Sequence, residues 1–458
     1  MILGDNGKRC GWSCLIAALL VGLVILSDTR GRPVLAQPYS TVLTGAYLID
    51  GTGRPPLAQA SLLVSDGRIR AVGHGVDLTT LNGVTQVDIS GKTIMPGLIT
   101  AHAHLNDGNE SLSLRAQLLA QLRIYADYGV TTVHTLGDGR SAAFQAHAPA
   151  PAYPWQVVAE GIWIRGEQER AEQLDRARLY VSGPNVTAKT VAEARDGVDR
   201  VADLNVNIIK TRLDARADDM SPEVYRALIR HAHQRGLRVV AHAVTLEDAK
   251  HLADAGVDVI AHSVRDREVD SELIGKLSRQ DVGYIPTLTR NLSLFLYESV
   301  PSFFGDAFFL LASTSYKTDM ELIQNRAFQE TVRSSEQAQA GKSSLAQAKR
   351  NLKLLMDGGV RIAMGTDSGT QVGRWQGYFE HVELELMVEA GLAPMQALVA
   401  ATGDAAKVMN LDELGTLEQG KWADFVVLNA NPLDDIKNTQ RIHSVWVGGQ
   451  QLENRNVR

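Results

Sequence analysis

The sequence predicts an α/β fold of the (β/α)8 type, the TIM barrel, with additional β-structure at both chain ends. Three observations predict it. Apolar runs of strand length alternate with amphipathic helical stretches through the middle of the chain, the pattern of βα units around a parallel sheet. Eight such runs can be counted, at residues 99–105, 130–137, 156–162, 206–212, 238–244, 258–264, 283–288 and 361–367. At or near the ends of five of them stand His102 and His104, Lys210, His242, His262 and Asp367. That is the end of a strand at which (β/α)8 barrels place their chemistry.

From the N-terminus, Lys8 and Arg9 precede the apolar run 15–26, which leads through a polar stretch to Val34-Leu35-Ala36. This reads as a signal peptide over residues 1–36, cleaved after Ala36, so the catalytic body is expected to be secreted or periplasmic. The competing reading is an uncleaved membrane anchor, for which the apolar run is short. The 2 cysteines of the chain, Cys10 and Cys14, both lie in this segment, which excludes disulfides and cysteine chemistry from the mature chain. Residues 37–95 contain short strand runs at 41–53 and 60–69 broken by glycine turns, and residues 413–458 repeat the texture at 423–428 and 444–450. The barrel is assigned to 96–412.

Between the seventh and eighth runs, residues 290–359 are far longer than an ordinary connection. They hold Phe295, Phe303, Phe304, Phe308, Phe309 and Phe328 of the chain's 9 phenylalanines, which suits either a lid over the site or a subunit interface in a homo-oligomer. Residues 334–349 within them read as a solvated helix. A 458-residue chain can bury a large core, and 45% hydrophobic with 21% charged residues is ordinary for a globular protein. A net charge of −6 gives no sign of nucleic-acid binding, so the expected partner is a small-molecule substrate.

His102 and His104 are two apart on one strand, so both imidazoles point to one face and form half of a metal site. Alone, such a pair is as often two core histidines. The order His-x-His, Lys, His, His, Asp at strand ends resembles the metal-dependent amidohydrolase superfamily, in its imidazolonepropionase-like and Xaa-Pro dipeptidase (prolidase) branch. Supporting phrases are Gly129-Val130-Thr131-Thr132-Val133, Thr402-Gly403-Asp404-Ala405-Ala406 and the stretch from Gly420 to Leu428. Thr100 departs from the pattern, since many members carry Asp there, and altered contacts around the ligands are expected.

The resemblance implies that the two chain ends build one β-sandwich domain beside the barrel. It also implies two divalent metal ions, zinc above all, and carbon dioxide held as a carbamate on Lys210. His102, His104 and Asp367 would hold one ion and His242 and His262 the other, with carboxylated Lys210 bridging them around a hydroxide. Asp367 would also be the catalytic acid–base group. Arg212, two residues beyond Lys210 and on the same strand face, is a candidate grip for a substrate carboxylate, and Tyr225 a weaker substrate contact. Arg140, Arg165, Arg265, Arg290 and Arg374 also lie near strand ends and are weaker candidates for the same contact, most of them reading as solvated. His134 reads as a core residue or a neighbour of the site, and His231 and His233 face apart on a helix.

The expected activity is an exported amidohydrolase cleaving an amide bond in a Xaa-Pro-like dipeptide or an N-acyl amino acid. The alternatives are a mononuclear enzyme acting on a cyclic amide, a lactone or an aminated heterocycle, and a non-catalytic binding protein on the same fold.

Overall fold

This computed structural model describes residues 25–27, 33–35, 40–76, 83–105, 114–137, 177–182, 185–204, 206–214, 216, 219–312 and 316–453. Residues 1–39 form a unit of their own, in which β1 (Ile25–Ser27) pairs antiparallel with β2 (Pro33–Leu35). Most of the expected signal peptide lies outside the described residues. Among those described, no helix is long and apolar enough to cross a membrane.

In the second unit the two chain ends share one sheet. Its strands are β3 (Ser40–Leu48), β4 (Leu57–Ser65), β5 (Arg68–Gly73), β6 (Thr85–Asp88) and β7 (Thr93–Pro96), with β15 (Phe425–Leu428), β16 (Ile442–Val447) and β17 (Gln450–Gln451). The order is β17-β16-β15-β7-β3-β4-β5, with β6 also on β3. β7 pairs with β3 on one edge and β15 on the other, so the two halves expected to build a sandwich join edge to edge through one continuous run of strands. Leu43, Leu62, Ile94, Phe425 and Trp446 pack into its core, which therefore draws on both ends.

The middle of the chain supplies parallel strands. β8 (Leu98–Ala103), β9 (Val130–Thr135) and β10 (Arg178–Val181) form one sheet, and β11 (Ile208–Arg212), β12 (Arg238–His242), β13 (Val259–Ala261) and β14 (Gly283–Ile285) another. Residues 361–368, the eighth run of the sequence, do not form an extended strand of their own. They join the two sheets by bridges from Ile362 to Tyr284 and from Ser368 to Ala103, and Ala101 N–H donates to the Met364 carbonyl. Across the other junction no ladder joins β10 to β11 among the described residues. The link there is Val186 N–H donating to the Lys210 carbonyl, with the Thr211 hydroxyl donating to that of Val186. The expected third strand, 156–162, lies outside the described residues, and the strand seated beside β9 is β10 instead.

Both strand faces are buried, as parallel sheets require. Ile208, Val240, Val259, Ile285 and Ala363 pack in an inner cluster, whereas Ile209, Val239, Ile260 and Ile362 face the helices, so alternation along each strand separates two layers. Between β10 and β14 the covering helices are α2 (Val191–Ala202), α3 (Pro222–Gln234), α4 (Leu246–Asp254) and α5 (Ser271–Arg279). Local chemistry starts each one. Thr190, Thr245 and Asp270 accept backbone N–H groups three residues on, and Pro222 occupies the first turn of α3. α1 (Leu114–Asp127) lies between β8 and β9.

The long segment after β14 is folded. It runs through α6 (Leu288–Leu292), short 3-10 turns, α7 (Lys317–Ile323), α8 (Arg326–Ser334) and α9 (Glu336–Asp357), and is followed by α10 (Tyr378–Glu389). The helix expected to be solvated is α9, and it buries Ala338, Leu345, Leu352 and Leu355. Phe303, Phe304, Phe308 and Phe309 pack with Tyr128, Trp375 and Tyr378 of the same chain. Of the rings reserved for a lid or a subunit interface, these four are therefore used in anchoring the segment to its own fold.

Candidate active site

β8 carries His102, and His104 follows just past its end; both are buried. The 361–368 segment is laced to them by backbone hydrogen bonds, Thr366 and Asp367 N–H to the His102 carbonyl and His104 N–H to the Ser368 carbonyl. This packing places Asp367 against both imidazoles. Its Oδ1 is 2.9 Å from His104 Nε2 and 3.3 Å from His102 Nε2. The donor atoms of His102, His104 and Asp367 all lie within 4.8 Å of one another, the spacing of a metal site. Gly365 permits the approach, since a Cβ there would stand 2.7 Å from His102 N.

The other imidazoles continue the chain of rings. His102 and His262 centroids are 4.7 Å apart, and His262 and His242 4.2 Å. His242 Nε2 meets Asp214 at 3.0 Å and His262 Nδ1 meets Thr287 Oγ1 at 2.9 Å, so each ring keeps its second nitrogen for a ligand. His262, Thr287 and Asp367 all have left-handed backbones, with φ of 78°, 46° and 60°. Such conformations in non-glycine residues cost of order 1–3 kcal/mol each and concentrate at functional sites.

Electrostatics prepare this cluster for a cation. Burial, aided by the charge of Lys210, holds His102 well below the usual histidine range, and burial together with His242 and Arg290 does the same for His262. His242 is also lowered, by burial first. Neutral imidazole is the ligating form. Burial would raise Asp367, but hydrogen bonds from His102 and His104 and the charge of Arg374 outweigh it and hold the carboxylate ionised. Lys210 is buried, its Nζ has no hydrogen-bond partner among the described residues, and desolvation pushes it down to about 7.

Four further groups support the candidate ligands, of which the sequence marks Arg290 and Arg374 only as arginines near strand ends. Arg374 Nη1 donates to Asp367 Oδ2 at 2.7 Å, and Arg290 Nε lies 3.2 Å from the same oxygen. On α10, Glu380 accepts the Thr366 hydroxyl at 2.7 Å and that of Ser368 at 3.0 Å, pinning both neighbours of Asp367. Glu383 accepts Leu288 and Thr289 N–H at 2.7 Å each, which fixes the turn that presents Thr287 to His262. Burial raises both glutamates, Glu383 to about 7. Thr100, where altered contacts are expected, is fully buried, and its Oγ1 has no hydrogen-bond partner among the described residues.

The remaining candidates are placed less centrally. Arg212 is half-buried, opposite His242 in the ladder, and makes no hydrogen bond to a ligand residue among those described. Tyr225 packs on α3 in the layer between helices and strands, a core position and not the site mouth. His134 is fully buried, stacked on Tyr180, with neither ring nitrogen partnered among the described residues. His231 and His233 bind Asp199 and Asp258 separately. Arg140 and Arg165 lie outside the described residues.

A carboxylate, four imidazoles and a buried amine gathered at the carboxyl ends of parallel strands define a metal-dependent hydrolase. The chain belongs to the amidohydrolase family, whose model matches residues 93–452. It is accordingly an enzyme acting on carbon–nitrogen bonds, and the binding-protein alternative falls away. The chain is 25% identical to the ochratoxinase of Aspergillus niger over 90% of its own length and 86% of that protein. It is 37% identical to the D-aminoacylase of Alcaligenes xylosoxydans xylosoxydans over 33% of its length, a match covering only 28% of that enzyme. Among solved structures, a Bifidobacterium longum protein assigned as a prolidase superposes with a TM-score of 0.70 at 28% identity, covering 90% of this chain and 94% of that one.

Proposed function

We propose that the protein hydrolyses the amide bond of a Xaa-Pro-like dipeptide or an N-acyl amino acid, at a two-metal centre bridged by carboxylated Lys210 on a closed (β/α)8 barrel. One observation carries this reading. Lys210 is buried beside the histidine–aspartate cluster without a hydrogen-bond partner among the described residues. A buried donor left unpaired costs about 1–3 kcal/mol, whereas a carbamate gives the side chain oxygen ligands and a purpose. Held near 7, Lys210 supplies the neutral amine that adds to carbon dioxide. Relatives named as D-aminoacylase and prolidase support the substrate class.

The donor set fits zinc or a similar divalent ion. His102, His104 and Asp367 would hold one ion, His242 and His262 the other, and carboxylated Lys210 both. Such ions would supply an activated water and polarise the scissile carbonyl. Asp367 accepts the proton released as the water oxygen bonds to the carbonyl carbon. It delivers that proton to the amine nitrogen as the C–N bond breaks, so a carboxylic acid and an amine leave. Arg374 fixes the orientation of Asp367 during both transfers. The polar turn and small-residue pattern ending at Ala36 support export of the body to the periplasm or beyond, after removal of residues 1–36.

A second reading has its own observation. His102, His104 and Asp367 alone form a three-ligand cluster, which suits one metal and a cyclic amide, lactone or deaminase substrate. Comparing kcat/KM on Xaa-Pro dipeptides and N-acyl amino acids with that on lactones and aminated heterocycles decides between them. Preference for the first pair is expected, and preference for the second would reject the dipeptidase or acylase reading.

A further inference from the structure

We propose that Arg290, flanked by Arg265, binds the free carboxylate of the substrate and makes the enzyme select acids over their neutral counterparts. The inference rests on the amide-hydrolase reading above and moves the carboxylate grip from Arg212 to a different element. Arg290 lies on α6, the first helix after β14, and its Nε is 3.2 Å from Asp367 Oδ2. Of the arginines described near the cluster, only Arg374 and Arg290 touch a ligand residue, and their environments differ. Arg374 is 5% exposed and gives Nη1 to Asp367 and Thr370 and Nε to Ser293. Arg290 is 23% exposed and, among the described residues, makes only its contact with Asp367, which leaves both Nη groups of its fork unpaired. A guanidinium offers five donors in a planar fork that matches a carboxylate.

Charge points the same way. Burial and the charge of Arg290 push Arg265 down to about 10, and among the described residues its side chain makes one hydrogen bond, a long one of 3.4 Å to the Ser263 carbonyl. Arg290 and Arg374 thus both contact Asp367, and Arg265 is the third guanidinium of this region; Asp214 and the buried Glu380 and Glu383 are its other carboxyl groups. Divalent ions would add further positive charge. A partly exposed guanidinium with unused donors in this position calls for an anion in the space beside the scissile bond. The free carboxylate of a dipeptide or acyl amino acid supplies one.

The test uses Arg290→Met, which keeps side-chain length and removes charge and fork, with Arg374→Met alongside, all with metal content measured. For an N-acyl amino acid and its C-terminal amide, the ratio of kcat/KM values (acid over amide) should fall about 10–100-fold in Arg290→Met, the size expected for a lost charge-assisted contact. The same ratio should hold in Arg374→Met, where both substrates slow together. A ratio unchanged in Arg290→Met overturns the proposal. Calorimetry on the zinc-loaded protein with 3-phenylpropionate and 3-phenylpropanol needs no turnover. Wild type should bind the acid at least tenfold better, and Arg290→Met should lose that preference. If calorimetry shows this while no dipeptide or acyl amino acid is cleaved, the carboxylate subsite stands and the amide-hydrolase reading fails. If Arg290→Met keeps the preference, the subsite fails whatever the substrate.

Discussion

Asp367 concentrates the chemistry in one carboxylate: Oδ1 faces His102 and His104, and Oδ2 is held by Arg374 and Arg290. Replacing it with Asn should keep the fold and lower kcat by at least the roughly 10²–10⁴-fold typical of a lost general base. Near wild-type turnover in Asp367→Asn, with metal retained, would refute its role in proton transfer. The sequence shows these ligand residues because each stands at or just past the end of an apolar strand run, so local pattern and chemistry coincide. It does not show Arg290, Arg374, Glu380 or Glu383 in their roles. An arginine that supports Asp367 looks in sequence like any loop arginine, and two glutamates inside α10 look like a solvated helix face until the helix is seen to be buried on that side.

Elements rather than residues decide whether the ligands converge, and the 361–368 segment is the critical one. Gly369, with φ of 79°, turns the chain directly beside the His104 carbonyl, where a Cβ would collide. Gly369→Ala should therefore destabilise the fold by more than about 1 kcal/mol and weaken metal binding, read by denaturant midpoint and metal content together. An unchanged metal affinity would show that the turn is not what positions Asp367. Periodicity recovered the alternation of strands and helices well, because both strand faces are apolar and the helices carry clear caps. It did not mark β10 as a strand. β10 begins with Arg178, a charge that argues against a buried strand in sequence, yet the guanidinium is paired with Asp424, Nη2 to Oδ1 3.0 Å, and stacks 4.7 Å from the Trp422 ring. A partner 246 residues away is invisible to a local pattern.

At the scale of the whole molecule, that ion pair ties the parallel strands to the sheet built by both chain ends. Asp424 and Arg178 are nearly buried, so Asp424→Ala removes the carboxylate paired with a buried guanidinium and should cost about 3–5 kcal/mol. A shift in urea midpoint within error of zero would mean the two layers are not coupled through it. The joining of the chain ends followed from resemblance, while the edge-to-edge pairing through β7 did not, since register between distant strands has no local signature. The aromatic segment after β14 was legible as a special feature but not as one packed on its own chain, because its partners Tyr128, Trp375 and Tyr378 lie outside it in sequence. The proposed two-metal centre with Lys210 as its shared ligand is tested most directly by elemental analysis of the protein purified with ample zinc and bicarbonate. Close to two ions per chain are expected in wild type and about one or fewer in Lys210→Met. A fully active wild type holding one ion, with Lys210→Met holding the same, would contradict it.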